Sequence, residues 1–246
     1  MAAYLALFIC AAYGTIASAV LKAFGLHHKY AQWTVARSFK WVGLFMTGVN
    51  FEILDDGEQL LASKRPMVIV GNHQTELDLL FLGHIFPQHC SVTAKKSLKR
   101  VPVLGWYMTL SGSVFIDRVD RTQAMKAFDG AARAMKELGQ TVFIFPEGTR
   151  SYAAEPFLLP FKKGAFHLAV QAGVDILPVV AENYSKVLNV KAKRFNSGTI
   201  RIKGKYSQHQ PRTHTDNTAS LTTNIHQGHD YGERGRSHKG HTREDA

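Results

Sequence analysis

Residues 67–86 read MVIVGNHQTELDLLFLGHIF, and the stretch changes character halfway along. MVIV is a continuous apolar run of the kind a strand shows when both faces of its sheet are covered, whereas LDLLFLGHIF is longer and apolar in a helical pattern. Between them lie His73 and Asp78, five positions apart. On a helix, at about 100° per residue, five steps turn the chain by roughly 140°, and on a strand an odd step sends two side chains to opposite faces. Neither regular element lets the pair meet. A strand-to-helix turn does, because a side chain at the mouth of the strand then stands beside one in the first turn of the helix. Three readings of the residues follow. The aspartate can fix one ring nitrogen of the histidine and leave the other as a base awaiting an outside hydroxyl. Thr75 and Asp78 also match the capping box that opens a helix and needs no chemistry. His73 with Glu76 would make a metal pair, although no third ligand stands close in sequence.

Working outward, the strand texture recurs in VNFEIL (49–54), SVTA (91–94), SVFID (113–117), TVFIF (141–145), ILPVV (176–180) and GTIRIK (198–203). Residues 119–138 place Ala124, Met125, Phe128, Ala132, Met135 and Leu138 at helical spacing, and Gly139 ends the pattern. This alternation predicts an α/β domain over residues 49–203, with a mostly parallel or mixed sheet flanked by helices. In open α/β sheets ligands collect at strand ends. Four strands here deliver charged groups to their ends: the His73 segment, Lys95 and Lys96 after SVTA, Asp117 and Arg118 after SVFI, and PEGTRS after TVFIF. In that last segment Gly148 relieves crowding, Thr149, Arg150 and Ser151 offer donors, and the Arg150 fork suits two phosphate oxygens. It reads as an anion cradle or as a polar turn closed by a local ion pair. Glu147 is expected to orient Arg150 or a neighbouring amide.

The chain has 246 residues, a net charge of +11 and two cysteines. The charge calls for an anionic partner: nucleic acid, an acidic membrane surface or a phosphorylated substrate. The basic residues come in short groups without any nucleic-acid-binding signature, which disfavours the first. Two cysteines supply neither a disulfide framework nor a thiolate metal site. Residues 2–21, AAYLALFICAAYGTIASAVL, are twenty uncharged and mostly apolar positions, about the length that crosses a bilayer as a helix. Residues 31–49 put Val35, Phe39, Val42, Phe45, Met46 and Val49 on one helical face and Gln32, Arg37, Lys40 and Thr47 on the other, as an interfacial helix would. Residues 1–48 are therefore expected to form a pair of membrane-associated helices, with Trp33, Trp41, Lys22, Lys29 and Lys40 at the interface. Lys22, His27, His28 and Lys29 after the first run place the domain on the cytosolic side by the positive-inside rule. Residues 204–246 hold six of the twelve histidines and few apolar residues, a composition that predicts a disordered tail.

Four segments then carry a resemblance: Asn72-His73 through Asp78, Gly112 through Arg118, Phe145 through Ser151, and Leu177-Pro178-Val179-Val180. In order and spacing they resemble the four motifs of the 1-acyl-sn-glycerol-3-phosphate acyltransferases, and VTAKKSLKRVPVLGWYM with LPFKKGAFHLAVQAG is similar to the fungal branch. The resemblance covers roughly residues 30–203 and implies acyl transfer from acyl-CoA to the sn-2 hydroxyl of lysophosphatidate, giving phosphatidate. It implies His73 and Asp78 as the catalytic pair, with Asn72, Thr75 and Pro178 supporting. Arg118, Gly148 and Arg150 would hold the acceptor phosphate, Glu147 and Thr149 would shape the loop, and Lys95 would add positive potential. Acyl-CoA is a co-substrate, so neither a cofactor nor a metal is implied. The expected setting is a membrane, that of the endoplasmic reticulum. Glycerol-3-phosphate or another lysophospholipid as acceptor, or a membrane-bound isoform that has lost catalysis, are the alternatives. The family usually continues past GTIRIK with an apolar strand, a proline turn and a closing helix; the tail of this chain departs from that and reads as an altered reading frame or an alternative exon.

Overall fold

The computed structural model describes residues 2–55, 57–63 and 66–204. The expected disorder of the tail concerns residues that, beyond Gly204, lie outside those described. Each apolar run named above becomes a strand: β1 (Val49–Ile53), β2 (Val68–Gly71), β3 (Cys90–Lys95), β4 (Val114–Ile116), β5 (Thr141–Ile144), β6 (Ile176–Ala181) and, after a two-residue pair β7 (Leu188–Asn189) and β8 (Arg194–Phe195), β9 (Gly198–Gly204). Seven of them form one mixed sheet in the order β1-β9-β6-β2-β5-β3-β4. All its neighbours run parallel except β6 and β9. β2 and β5 are buried at every position, which is why the stretches 68–70 and 142–144 are unbroken Val, Ile and Phe rather than alternating.

Helices cover both faces. The described ones are α1 (Ala2–Ala23), α2 (His27–Thr47), α3 (Gly57–Ser63), α4 (Asp78–Ile85), α5 (Leu104–Leu110), α6 (Arg121–Leu138) and α7 (Gly164–Ala172). On one face α6 and α7 pack Ala131, Ala132, Met135, Leu168 and Ala169 against Val68, Val70, Val142 and Ile144. On the other, α4 and the segment after β6 bury Phe81, Phe143, Leu177 and Tyr184 in the larger core cluster. Asp120 caps α6 by accepting the Gln123 N–H, and Gly139 stops it in the left-handed conformation, as its sequence position predicts.

The N-terminal helices α1 and α2 pack against each other and against the domain. Among the described residues no helix is long and apolar enough to cross a membrane, so the crossing expected of residues 2–21 gains no support. α1 instead turns a small-residue face inward, with Cys10, Ala11 and Ser18 buried. A Cβ at Gly14 would stand 2.6 Å from both Tyr107 and Val35, so α1 lies against α2 and α5. In α2 the two faces are partly exchanged. Gln32, expected on the polar side, is 4% exposed. Its amide donates to the Ser111 carbonyl at 3.1 Å, and its side-chain oxygen accepts from the Val92 N–H at 2.9 Å. Arg37 turns inward as well, capping the end of α4 through the carbonyls of Gly83, His84 and Phe86 at 3.0–3.2 Å. Phe45 is 92% exposed, and Val49, expected on this helix, belongs to β1. Backbone groups waiting in the domain reward the polar side chains more than water does, which a helical wheel cannot register.

Candidate functional site

The parallel strands β6, β2, β5, β3 and β4 end along one edge of the sheet, and the charged segments collect there. After β2 the chain must turn at once into α4. Gly71 permits this, because a Cβ there would meet Phe143 at 2.8 Å and Phe81 at 3.2 Å. The turn sets His73 Nδ1 2.6 Å from Asp78 Oδ2. An ionised carboxylate only accepts, so Nδ1 carries the hydrogen and Nε2 keeps its lone pair. Among the described residues nothing bonds to Nε2, and the His73 side chain retains 16% exposure. Phe145 stacks on the imidazole, with ring centroids 4.1 Å apart and planes 13° from parallel, which restricts the ring's rotation.

Asp78 is 2% exposed. Besides His73, its Oδ2 accepts the Gln74 N–H at 2.8 Å, and its Oδ1 accepts the Tyr184 hydroxyl. A capping box would instead join Asp78 to the Thr75 N–H, yet that amide donates to the Tyr184 oxygen at 3.2 Å and the Thr75 hydroxyl accepts from Leu77 N–H at 3.2 Å. The sequence match to a capping box is thus met by a different network. Glu76 turns away from His73 to Arg150 at 3.0 Å and Tyr152 at 2.7 Å, so those two residues do not form a metal pair.

Asn72 ties the turn to β6 in both directions: its amide donates to the Ala181 carbonyl at 2.9 Å and its oxygen accepts the Ala181 N–H at 3.0 Å. Gln74 adds bonds to the carbonyls of Ala181 and Glu182 at 3.1 and 2.9 Å. Glu147 takes the second of its two expected orientations. One oxygen accepts the His73 N–H at 2.7 Å and the other the Leu159 N–H at 2.9 Å. Burial raises its carboxyl above the ordinary value, with the two amides opposing. At 3% exposure it is a brace for the loop. The same loop is stitched to the His73 turn by Ser151 N–H to the His73 carbonyl and Tyr152 N–H to the Gln74 carbonyl, at 2.9 and 3.1 Å.

Arg118, Thr149 and Arg150 are exposed at this edge. Arg150 spends its Nη1 on Glu76 and Tyr152, so the local ion pair is present, while its remaining N–H groups are left over. Partial burial pulls the Arg150 guanidinium down, but Tyr152 and Glu76 outweigh it and raise it. Arg118 makes no ion pair among the described residues. Partial desolvation, followed by the Arg150 charge, lowers its pKa. Gly148 has φ +69° and lies under the Lys162 stem, whose Cε and Nζ would be 2.9 and 3.0 Å from a Cβ. Lys95 ends β3 in register with Ile116 of β4, beside the strand leading to Arg118. Its neighbour Lys96 pairs with Asp117 at 3.1 Å. Pro178 does not reach the edge. It sits within β6 opposite Val70, where pairing with β9 stops at Val179, a place without a second ladder to need its missing N–H.

The sequence reading missed Tyr184, Phe145 as the stacking partner, Gln74 as a clamp and Lys162 over Gly148. Gln74 and Phe145 lie within the motif segments themselves and Lys162 within LPFKKGAFHLAVQAG. Tyr184 stands 106 positions from Asp78 and carries no local signal.

The acyltransferase family model matches residues 52–182. The chain is 46% identical over 199 residues to the 1-acyl-sn-glycerol-3-phosphate acyltransferase of Saccharomyces cerevisiae, a match covering 81% of this chain and 64% of that protein. It is 42% identical over 166 residues to the human 1-acyl-sn-glycerol-3-phosphate acyltransferase beta, covering 68% of this chain and 57% of the relative. The chain thus spans somewhat under two thirds of the length of both. Its fold resembles the crystal structure of the 1-acyl-sn-glycerophosphate acyltransferase PlsC from Thermotoga maritima, with a TM-score of 0.65 at 21% identity, over 92% of this chain and 89% of that one. With more than half of its residues inside the family match and the yeast protein among its relatives, the chain belongs to the acyltransferase family.

Proposed function

We propose that the chain transfers an acyl group from acyl-CoA to the sn-2 hydroxyl of 1-acyl-sn-glycerol-3-phosphate, giving phosphatidate and CoA. The observation that carries this reading is the 2.6 Å His73–Asp78 contact with Nε2 left unbonded, at the sheet edge that also bears Arg118 and Arg150. The names of the relatives support the choice of acceptor. In this reading Nε2 takes the hydroxyl proton as the alcohol oxygen attacks the thioester carbonyl, and Asp78 stabilises the imidazolium. The carbon–sulfur bond then breaks, and the proton on Nε2 passes to the departing sulfur. No acyl-enzyme forms, so no serine or cysteine nucleophile is needed. Arg118 and the free N–H groups of Arg150 hold the acceptor phosphate and fix the distance from phosphate to reacting hydroxyl, while Lys95 and Lys162 add positive potential. Glu147 keeps the two halves of the site in register.

The membrane enters the same reading through exposed apolar side chains. Phe8, Ile9, Tyr13, Ile16 and Val20 are exposed along α1 at helical spacing, Phe24 in the turn after it, and Trp41 and Phe45 on α2. Helices that present such faces lie in the interface plane, where both lipids reside.

Radiolabelled acyl-CoA offered to the full chain with lysophosphatidate, glycerol-3-phosphate or other lysophospholipids tests the proposal. Labelled phosphatidate should form with lysophosphatidate and vanish in His73→Ala. No transfer to any acceptor by the folded chain would reject it.

A further inference from the structure

Tyr184 has no part in the reaction as described, yet its hydroxyl is bonded to the carboxylate that holds the base. The ring is 2% exposed and packs edge-on against Phe51, with centroids 6.5 Å apart. Chemistry fixes the direction of each hydrogen around its oxygen. The Thr75 N–H can only donate, so the phenol oxygen accepts it at 3.2 Å. A carboxylate can only accept, so the phenol hydrogen goes to Asp78 Oδ1. The other oxygen of Asp78 takes the Gln74 N–H at 2.8 Å and His73 Nδ1 at 2.6 Å. The carboxylate is therefore loaded from two sides, and what Tyr184 draws toward Oδ1 is withdrawn from the bond to the imidazole. Nor is the contact a loose one. Asn72 and Gln74 clamp residues 181–182 to the turn that carries His73, so the tyrosine is carried in with the strand end.

We propose that Tyr184 is a positioning residue that sets the proton affinity of the His73–Asp78 pair, keeping the imidazole neutral and available as a base. Without its hydroxyl the buried carboxylate loses one donor and the pair takes up its proton at higher pH, whichever of the two partners holds it. Burial, followed by the Asp78 charge, raises the ionisation of the phenol well above its ordinary value, so it remains a donor over the working range. The inference rests on reading His73 as the base, but the titration of the ring can be measured independently of turnover.

The experiment uses the full chain in detergent micelles with ring-labelled histidine. The His73 signal is assigned by its loss in His73→Ala, and its NMR titration is compared between the native chain and Tyr184→Phe, which keeps the packing ring. The midpoint should rise by about one pH unit and the acid limb of kcat/KM should move with it. At pH values below both midpoints kcat should fall by up to about tenfold, the equivalent of one pH unit, with the acceptor KM unchanged. Fluorotyrosine at position 184, a stronger donor of nearly the same shape, should move the midpoint the other way, and it serves where Tyr184→Phe does not fold. A midpoint that moves in neither variant overturns the proposal, whatever happens to turnover. A midpoint that moves while His73→Ala keeps full turnover upholds the influence of Tyr184 and removes the base reading instead.

Discussion

Asp78 accepts from three groups, and only an ionised carboxylate can serve all three. Asp78→Asn keeps the volume but turns one of the two oxygens into a donor, which then faces either the Tyr184 hydroxyl or the hydrogen on His73 Nδ1. The imidazole escapes that clash by moving its hydrogen to Nε2, where the lone pair is needed. Turnover should fall about a hundredfold to ten-thousandfold, while thermal unfolding reports a loss of about 1.5–3 kcal/mol for the weakened charged hydrogen bonds. Because the two residues act as one unit, adding His73→Ala to Asp78→Asn should cost little more in kcat than either alone. Additive losses measured by the acyl-transfer assay would show that they act separately.

Where α2 crosses α4 the two backbones come so close that a side chain does not fit between them. A Cβ at Gly83 would stand 2.9 Å from the Ala36 carbonyl oxygen and from the Lys40 nitrogen. Both are main-chain atoms of a helix and cannot step aside. Gly83→Ala should therefore destabilise the protein by about 1–3 kcal/mol and loosen the Arg37 bonds to the carbonyls at the end of α4. Gly130 in α6 is the counterpart, since nothing lies within 4 Å of its Cβ position. Gly130→Ala should stabilise by about 0.5–1 kcal/mol, because alanine loses less backbone freedom in a helix. Thermal unfolding of the two variants should shift in opposite directions, and a shared sign would count against the close helix crossing.

For the whole molecule, apolar side chains exposed on α1 and α2 coexist with a net charge of +11, the combination that binds acidic lipid surfaces. The full chain should sediment with vesicles containing anionic lipid. Paired Ile16→Asp and Phe45→Asp, at positions 70% and 92% exposed, should release it while leaving thermal unfolding in place; undiminished binding would refute the assignment of this face. The sequence by itself determined the seven main strands, the central β2 and β5 because a strand covered on both sides is an apolar run and the outer β1 and β9 because their apolar residues alternate with polar ones, and it determined the clustering of charged groups at strand ends. It also brought out His73 and Asp78, whose odd spacing makes sense only across a turn. It could not choose between a dyad and a helix cap, because that choice depends on which donors reach Asp78, and Tyr184 comes from 106 positions away. It likewise misplaced Gln32 and Arg37 on α2, whose partners are carbonyls and an amide brought near only by folding. Local pattern records what a residue prefers against water, whereas tertiary structure decides what it meets instead, and a buried polar group follows its partner.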